Sequence, residues 1–164
     1  MRTRKAKIAD VKAIHKLVNE FGKKGEMLPR SLNDLYENIR DIVVCENKDD
    51  IIGVCALHIM WEDLAEVRTL AVRLDAQGTG LGKRLVKACI DEARKLGIKK
   101  VFALTYHPDF FKKAGFEEID KTKLPQKIWG ECLRCPKFPE CDETAVIMDL
   151  TPSKKDNCLK SKTI

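Results

Sequence analysis

The stretch LDAQGTGLGKRLV, residues 74–86, decides how the rest of the chain is read. Gly78, Gly80 and Gly82 alternate with other residues, and two cations, Lys83 and Arg84, follow at once. A P-loop would need a glycine where Gln77 stands and a hydroxyl where Arg84 stands. A dinucleotide fingerprint needs G-x-G-x-x-G after the first strand of a βαβ unit, and these evenly spaced glycines lie deep in the chain. Both spacings fail, but the physics beneath them survives. Successive glycines let the backbone approach a ligand with its N–H groups turned inward. The helix that follows offers unpaired N–H groups and the positive end of its dipole. Lys83 and Arg84 in its first turn are unfavourable for the helix alone, which points to an anion held between them. The plainer alternative is a strand-to-helix turn carrying solvated cations.

Outward from this loop the elements alternate. RKAKI (4–8) reads as a strand, and Asp10 is placed to cap a helix whose Val11, Ile14, Val18 and Phe21 share a face. Ser31 with Asp34 resembles a capping box opening a helix with Leu32, Leu35, Tyr36 and Ile39 on one side. DIVVCE (41–46) and IIGVCALHIM (51–60) form a hairpin about the polar NKDD turn, and AEVRTLAV (65–72) is the next strand. The helix from about Gly80 to Leu96 presents Leu81, Leu85, Val86, Cys89, Ala93 and Leu96 to the core, with Gly97 as its stop. KKVFALTY (99–106) is a strand, PDFFKKAG (108–115) a short helix opened by Pro108, and TAVIMDL (144–150) a last strand.

Composition bounds the class. The chain has 164 residues, enough for one domain with a real core, here expected over 1–150. The polar tail 151–164 has little to bury and is expected to be disordered. No apolar run approaches a membrane span and the N-terminus lacks a secretory h-region, so a cytoplasmic location and no membrane partner are expected. A net charge of +6, spread along the chain without stacking aromatics, predicts no nucleic-acid partner. In a reducing compartment the seven cysteines read as thiols or ligands rather than disulfides. Cys45, Cys55 and Cys89 fall on apolar faces. Cys132, Cys135 and Cys141 offer three ligands where a structural zinc site needs four, so no metal is assigned.

The order β-α-α-β-β-β-α-β-α-β, with the glycine loop joining the fourth strand to the third helix, resembles the GNAT N-acetyltransferase superfamily. The motif Q/R-x-x-G-x-G/A is met by Gln77, Gly80 and Gly82, preceded by RTLAV, with FFKKAGF at 110–116 beyond it. The resemblance spans about residues 3–150 and implies an α/β (α+β) fold, a mixed, mostly antiparallel twisted sheet flanked by helices. It also implies acetyl-CoA as co-substrate. Its pyrophosphate would lie on Gln77, Gly78, Thr79, Gly80, Leu81 and Gly82, with Lys83 or Arg84 adding charge, and its pantetheine arm along Leu70, Ala71 and Val72. Phe111, at the position where many members carry a tyrosine acid, would also contact the cofactor.

Four shorter segments, LPRS (28–31), AEVRTLAV, VFALT and TAVIMDL, resemble the acetyltransferase domain of bacterial N-acetylglutamate synthases, in a short single-domain version. That implies a small-molecule amino-acid substrate, glutamate first, and leaves a homodimer open. Two carboxylates call for cations, best supplied by arginines that bind bidentately, and Arg30 and Arg68 are the candidates. The resemblance places Glu66 as the base that deprotonates the amine, with Thr105 or the adjacent Tyr106 as donor to the leaving sulfur. Strand alternation would put Glu66, Arg68, Leu70 and Val72 on one face. For Glu66 and Arg68 the bland reading is an ion pair on a solvated sheet. Rival readings are a protein N-terminal or lysine N-acetyltransferase and a non-catalytic acyl-CoA-binding sensor.

Overall fold

The computed structural model describes residues 1–124 and 140–151. Seven strands form one sheet: β1 (Arg2–Lys5), β2 (Ile42–Asn47), β3 (Asp50–Trp61), β4 (Leu64–Val72), β5 (Lys100–Thr105), β6 (Glu117–Ile119) and β7 (Thr144–Asp149). Their spatial order is β1-β2-β3-β4-β5-β7-β6, antiparallel everywhere except between β4 and β5. The helices are α1 (Val11–Lys23), α2 (Leu32–Glu37), α3 (Leu81–Lys95) and α4 (Pro108–Lys113). One face of the sheet packs α3 through Leu81, Leu85, Val86, Cys89 and Ala93. The other packs α1 through Val11, Ile14, Leu17, Val18 and Phe21. This is the expected α+β fold, with β6 added at the edge: three residues, two of them exposed glutamates, carry no hydrophobic period to read.

Local chemistry explains most boundaries. Lys48 and Asp49, both at positive φ (48° and 69°), make the tight β2–β3 turn whose twist matches the strands. Gly97, at φ 80°, ends α3. Its N–H reaches Arg94 O and that of Ile98 reaches Ala93 O, the Schellman arrangement. That turn swings Ile98 into the core and leaves Leu96 outside at 59% exposure, so Leu96 does not belong to the core face expected of it. β1 ends at Lys5 rather than Ile8 because β2 begins at Ile42, whose carbonyl accepts the last bond, from Ala6 N. Asp10 does not cap α1; its carboxylate pairs with Arg4 (2.7 Å) and accepts from Lys7 N (2.7 Å). Ser31 does cap α2 by accepting from Asp34 N at 3.1 Å, though in that helix only Leu35 is buried.

Candidate active site

The site begins where the sheet comes apart. β4 and β5 pair only over Leu64–Lys100, Ala65–Val101 and Glu66–Phe102. Beyond Glu66 the strands no longer pair, and a wedge opens between them. β4 also gains a residue against β3: Val54 pairs with Ala71 and Ala56 with Arg68, so two residues oppose Cys55. Thr69 sits in this bulge at φ 57°, a left-handed conformation rare for a β-branched residue. The extra residue inverts the alternation. Ala65 and Val67 before the bulge, and Leu70 and Val72 after it, all pack on the α3 core. Glu66 and Arg68 therefore lie on the opposite face from Leu70 and Val72, contrary to uninterrupted alternation.

A cleft of about 1110 Å³ fills the wedge. At one end lies the glycine loop. Gly78 and Gly80 hold φ 74° and 83°, and a Cβ at either would meet nothing within 4 Å, so both the backbone conformation and the open space above it belong to glycine. Gly80 is the N-cap of α3 and makes no side-chain cap bond, leaving the first N–H groups of that helix without a side-chain partner. Gly82 serves packing instead: a Cβ there would sit 3.2 Å from two ring atoms of Phe110. Phe110 stacks edge-on against Phe111, and Phe111 against Phe116, which ties α4 to this end of α3. Gln77 turns its amide back to donate to Val72 O at 3.0 Å, closing the loop on the strand.

Of the residues expected at the loop, Gln77, Gly78, Gly80, Leu81, Gly82 and Lys83 line the cleft, while Thr79 and Arg84 do not. The Thr79 hydroxyl donates to Ala76 O at 2.7 Å, and Arg84 reaches the Met1 carbonyl at 3.5 Å. Of the two cations expected to add charge, Lys83 therefore faces the cleft and Arg84 turns towards the N-terminus. Leu70, Ala71, Val72 and Phe111 line it too.

The other end gathers Glu66, Arg68, Arg30, Thr105 and Tyr106. Arg68 is 9% exposed, so the solvated-sheet reading does not hold for it. Arg30 comes from the α1–α2 connection, whose backbone Asn19 clamps: Asn19 Oδ1 accepts from Arg30 N (3.1 Å) and Nδ2 donates to Arg30 O (3.0 Å). The Arg30 guanidinium approaches Asp34 at 3.5 Å, a loose contact. Thr105 Oγ1 accepts from His107 N at 2.8 Å, which leaves its hydroxyl hydrogen to donate. The Tyr106 hydroxyl donates to Asp142 Oδ1 at 2.8 Å.

Met27 and Leu28 after α1, Leu104 on β5, Lys121 and Glu143 also line the cleft. Sequence reasoning missed these as site residues; only LPRS, containing Leu28, and VFALT, containing Leu104, carried a signal. Cys45, Cys55 and Cys89 are buried as expected, and the Cys55 thiol is pushed well up by its hydrogen bond with Cys89 and by burial. Cys141 lines the cleft with Sγ 3.7 Å from Glu143 Oε2, whereas Cys132 and Cys135 lie outside the described residues. So does the tail beyond Thr151. Among the described residues no group of three His, Cys, Asp or Glu is placed to hold a metal, and no helix is long and apolar enough to cross a membrane.

The model of the Acetyltransferase (GNAT) family matches residues 11–116, spanning the bulged strand, the glycine loop and α4. The chain belongs to the GNAT acetyltransferase family. As that family uses acetyl-CoA as co-substrate, the protein is an acetyl-CoA-dependent N-acetyltransferase. An uncharacterised N-acetyltransferase of Chlorobaculum tepidum is 40% identical, over 90% of this chain and 95% of that relative. An amino-acid acetyltransferase of Mycobacterium tuberculosis is 37% identical, over 80% of this chain and 76% of its own. Among solved structures, N-acetylglutamate synthase from Neisseria gonorrhoeae, complexed with coenzyme A and N-acetyl-glutamate, superposes with a TM-score of 0.83 at 27% identity. That match covers 92% of this GNAT chain but 35% of the synthase chain.

Proposed function

We propose that this GNAT protein acetylates the α-amine of a small acidic amino acid, L-glutamate first, by direct transfer from acetyl-CoA. The carrying observation is one cleft with an anion cradle at one end and Arg68, Arg30 and Glu66 at the other. The relatives named for amino-acid acetylation support the same reading.

The pyrophosphate of acetyl-CoA suits the first N–H groups of α3 and Lys83, where backbone donors, the helix dipole and a cation coincide. Its arm would enter the wedge as an added strand along Val67–Val72, whose β5 side carries no ladder there. The thioester then lies near the bulge, below Glu66 and Arg68. At neutral pH the substrate amine is an ammonium ion. Glu66 takes a proton from it, the freed lone pair attacks the carbonyl carbon, the C–N bond forms and the C–S bond breaks. Thr105, its oxygen already fixed by His107 N, donates a hydrogen bond to the departing sulfur. Tyr106 would first have to release Asp142. Arg68 takes one carboxylate in a site where desolvation strengthens the pairing, and Arg30 takes the other.

The test is thiol release from acetyl-CoA against free amino acids and short peptides. Glutamate should be preferred to glutamine and α-aminobutyrate, which lack the side-chain charge. Preference for a peptide amine would establish the protein-acetylating alternative instead.

A further inference from the structure

A histidine stands behind the candidate base. His58 on β3 is the direct cross-strand partner of Glu66 on β4, so the two side chains leave the same face of the sheet as nearest neighbours. Glu66 lines the cleft; His58 is not among the lining residues. His58 Nδ1 lies 2.8 Å from Asp41 Oδ2, in the 3-10 turn Ile39–Asp41. A carboxylate only accepts, so Nδ1 carries the hydrogen and Nε2 is the acceptor nitrogen of the neutral ring. The side chains of His58 and Asp41 are 23% and 25% exposed, which puts them in touch with solvent. Asp41, His58 and Glu66 thus form a row from the surface to the cleft across a single strand spacing. Among the described residues the charged groups facing His58 are Asp41 from the turn, Glu66 opposite, and Arg68 one pair further along β4. Its neighbours on the same face of β3 are the apolar Ala56 and Met60.

The chemistry requires that a proton leave the site in every turnover. Over one turnover the substrate nitrogen, entering as ammonium, loses two protons. One ends on the sulfur of CoA, and the other must reach bulk water. Glu66 can hold only one proton at a time and must be emptied before it serves again. We propose that His58, held by Asp41, is the group through which Glu66 passes its proton to solvent. Glu66 transfers the proton to Nε2, giving a carboxylate and an imidazolium; Asp41 stabilises the imidazolium, which releases the proton to water. An imidazole, alone among side chains, ordinarily both gains and loses a proton near neutral pH. This assignment rests on Glu66 acting as the base, and His58 is a positioning and relay residue rather than one that touches substrate.

The test measures steady-state acetyl transfer to glutamate at saturating substrates by wild type, His58→Gln, Glu66→Gln and the double variant, from about pH 6 to about pH 9, with and without added imidazole. The relay predicts that His58→Gln loses about tenfold or more in rate. Its affinity for acetyl-CoA should stay unchanged and free imidazole should restore much of the loss. In the Glu66→Gln background the second substitution should cost nothing further. Asp41→Asn, which leaves His58 in place, should give a smaller loss with the same rescue, and it serves if His58→Gln folds poorly. If Glu66→Gln is impaired while His58→Gln matches wild type, or is slowed with no response to imidazole, the relay is refuted and the base stands. A fully active Glu66→Gln removes the base, and the relay with it.

Discussion

Gly80 allows backbone strain and ligand repulsion to be measured separately. Its φ of 83° is costly for any side chain, yet a Cβ there meets nothing within 4 Å. Gly80→Ala should therefore lose only the left-handed penalty of about 1–2 kcal/mol. For a domain of this size that lowers the melting midpoint by roughly 2–8 °C. Gly80→Asp has the same backbone cost and adds a carboxylate over the first turn of α3. If that charge lies about 5 Å from one phosphate charge, repulsion is ~0.8 kcal/mol at the dielectric of water and ~3 kcal/mol at an effective value near 20. CoA affinity should then fall roughly fourfold to a few hundredfold beyond the alanine variant. Melting curves compare the two stabilities, and calorimetric titration with CoA compares the affinities. Equal CoA affinity in the two variants would show that the pyrophosphate does not lie on this turn.

Two further outcomes follow from the charged groups. Replacing Arg68 by alanine should raise the KM for glutamate by about 30-fold to several-thousand-fold, the range for stripping one partner from a buried charged pair. Arg30→Ala should cost less, because that side chain is more exposed (21%) and already leans on Asp34; neither should change the KM for acetyl-CoA, and unaltered glutamate kinetics in the double variant would discard the arginine pocket. At the other edge of the sheet, Asp10 and Glu46 are both held below the usual carboxylate range, first by hydrogen bonds from Arg4. Since their folded values are depressed, the stabilisation is complete above the ordinary value near 4 and is lost as pH falls through the folded ones. Arg4→Met should lower the urea midpoint at pH 7, and the gap from wild type should close in acid; a gap constant down to pH 3 would exclude this network as its source.

The period of apolar residues was sufficient to place α1, α3 and the long strands, because burying one face of a helix or strand constrains neighbouring residues in the chain. The glycine loop was legible for a similar reason: Gly78 and Gly80 are demanded by local φ, and local demands leave local signatures. Lys83 could be nominated but not separated from Arg84, since only the docking of α3 decides which one turns to the cleft. The substrate end depended on tertiary structure far more. No pattern announces the Thr69 bulge, because a threonine with positive φ is held there by the strands around it, and the bulge alone sends Glu66 and Arg68 to the face opposite Leu70 and Val72. The wedge between β4 and β5, the hold of Asp142 on Tyr106 and that of Asp41 on His58 join residues far apart in the chain. Such contacts are settled by how the layers pack, and a single sequence carries no period or spacing that records them.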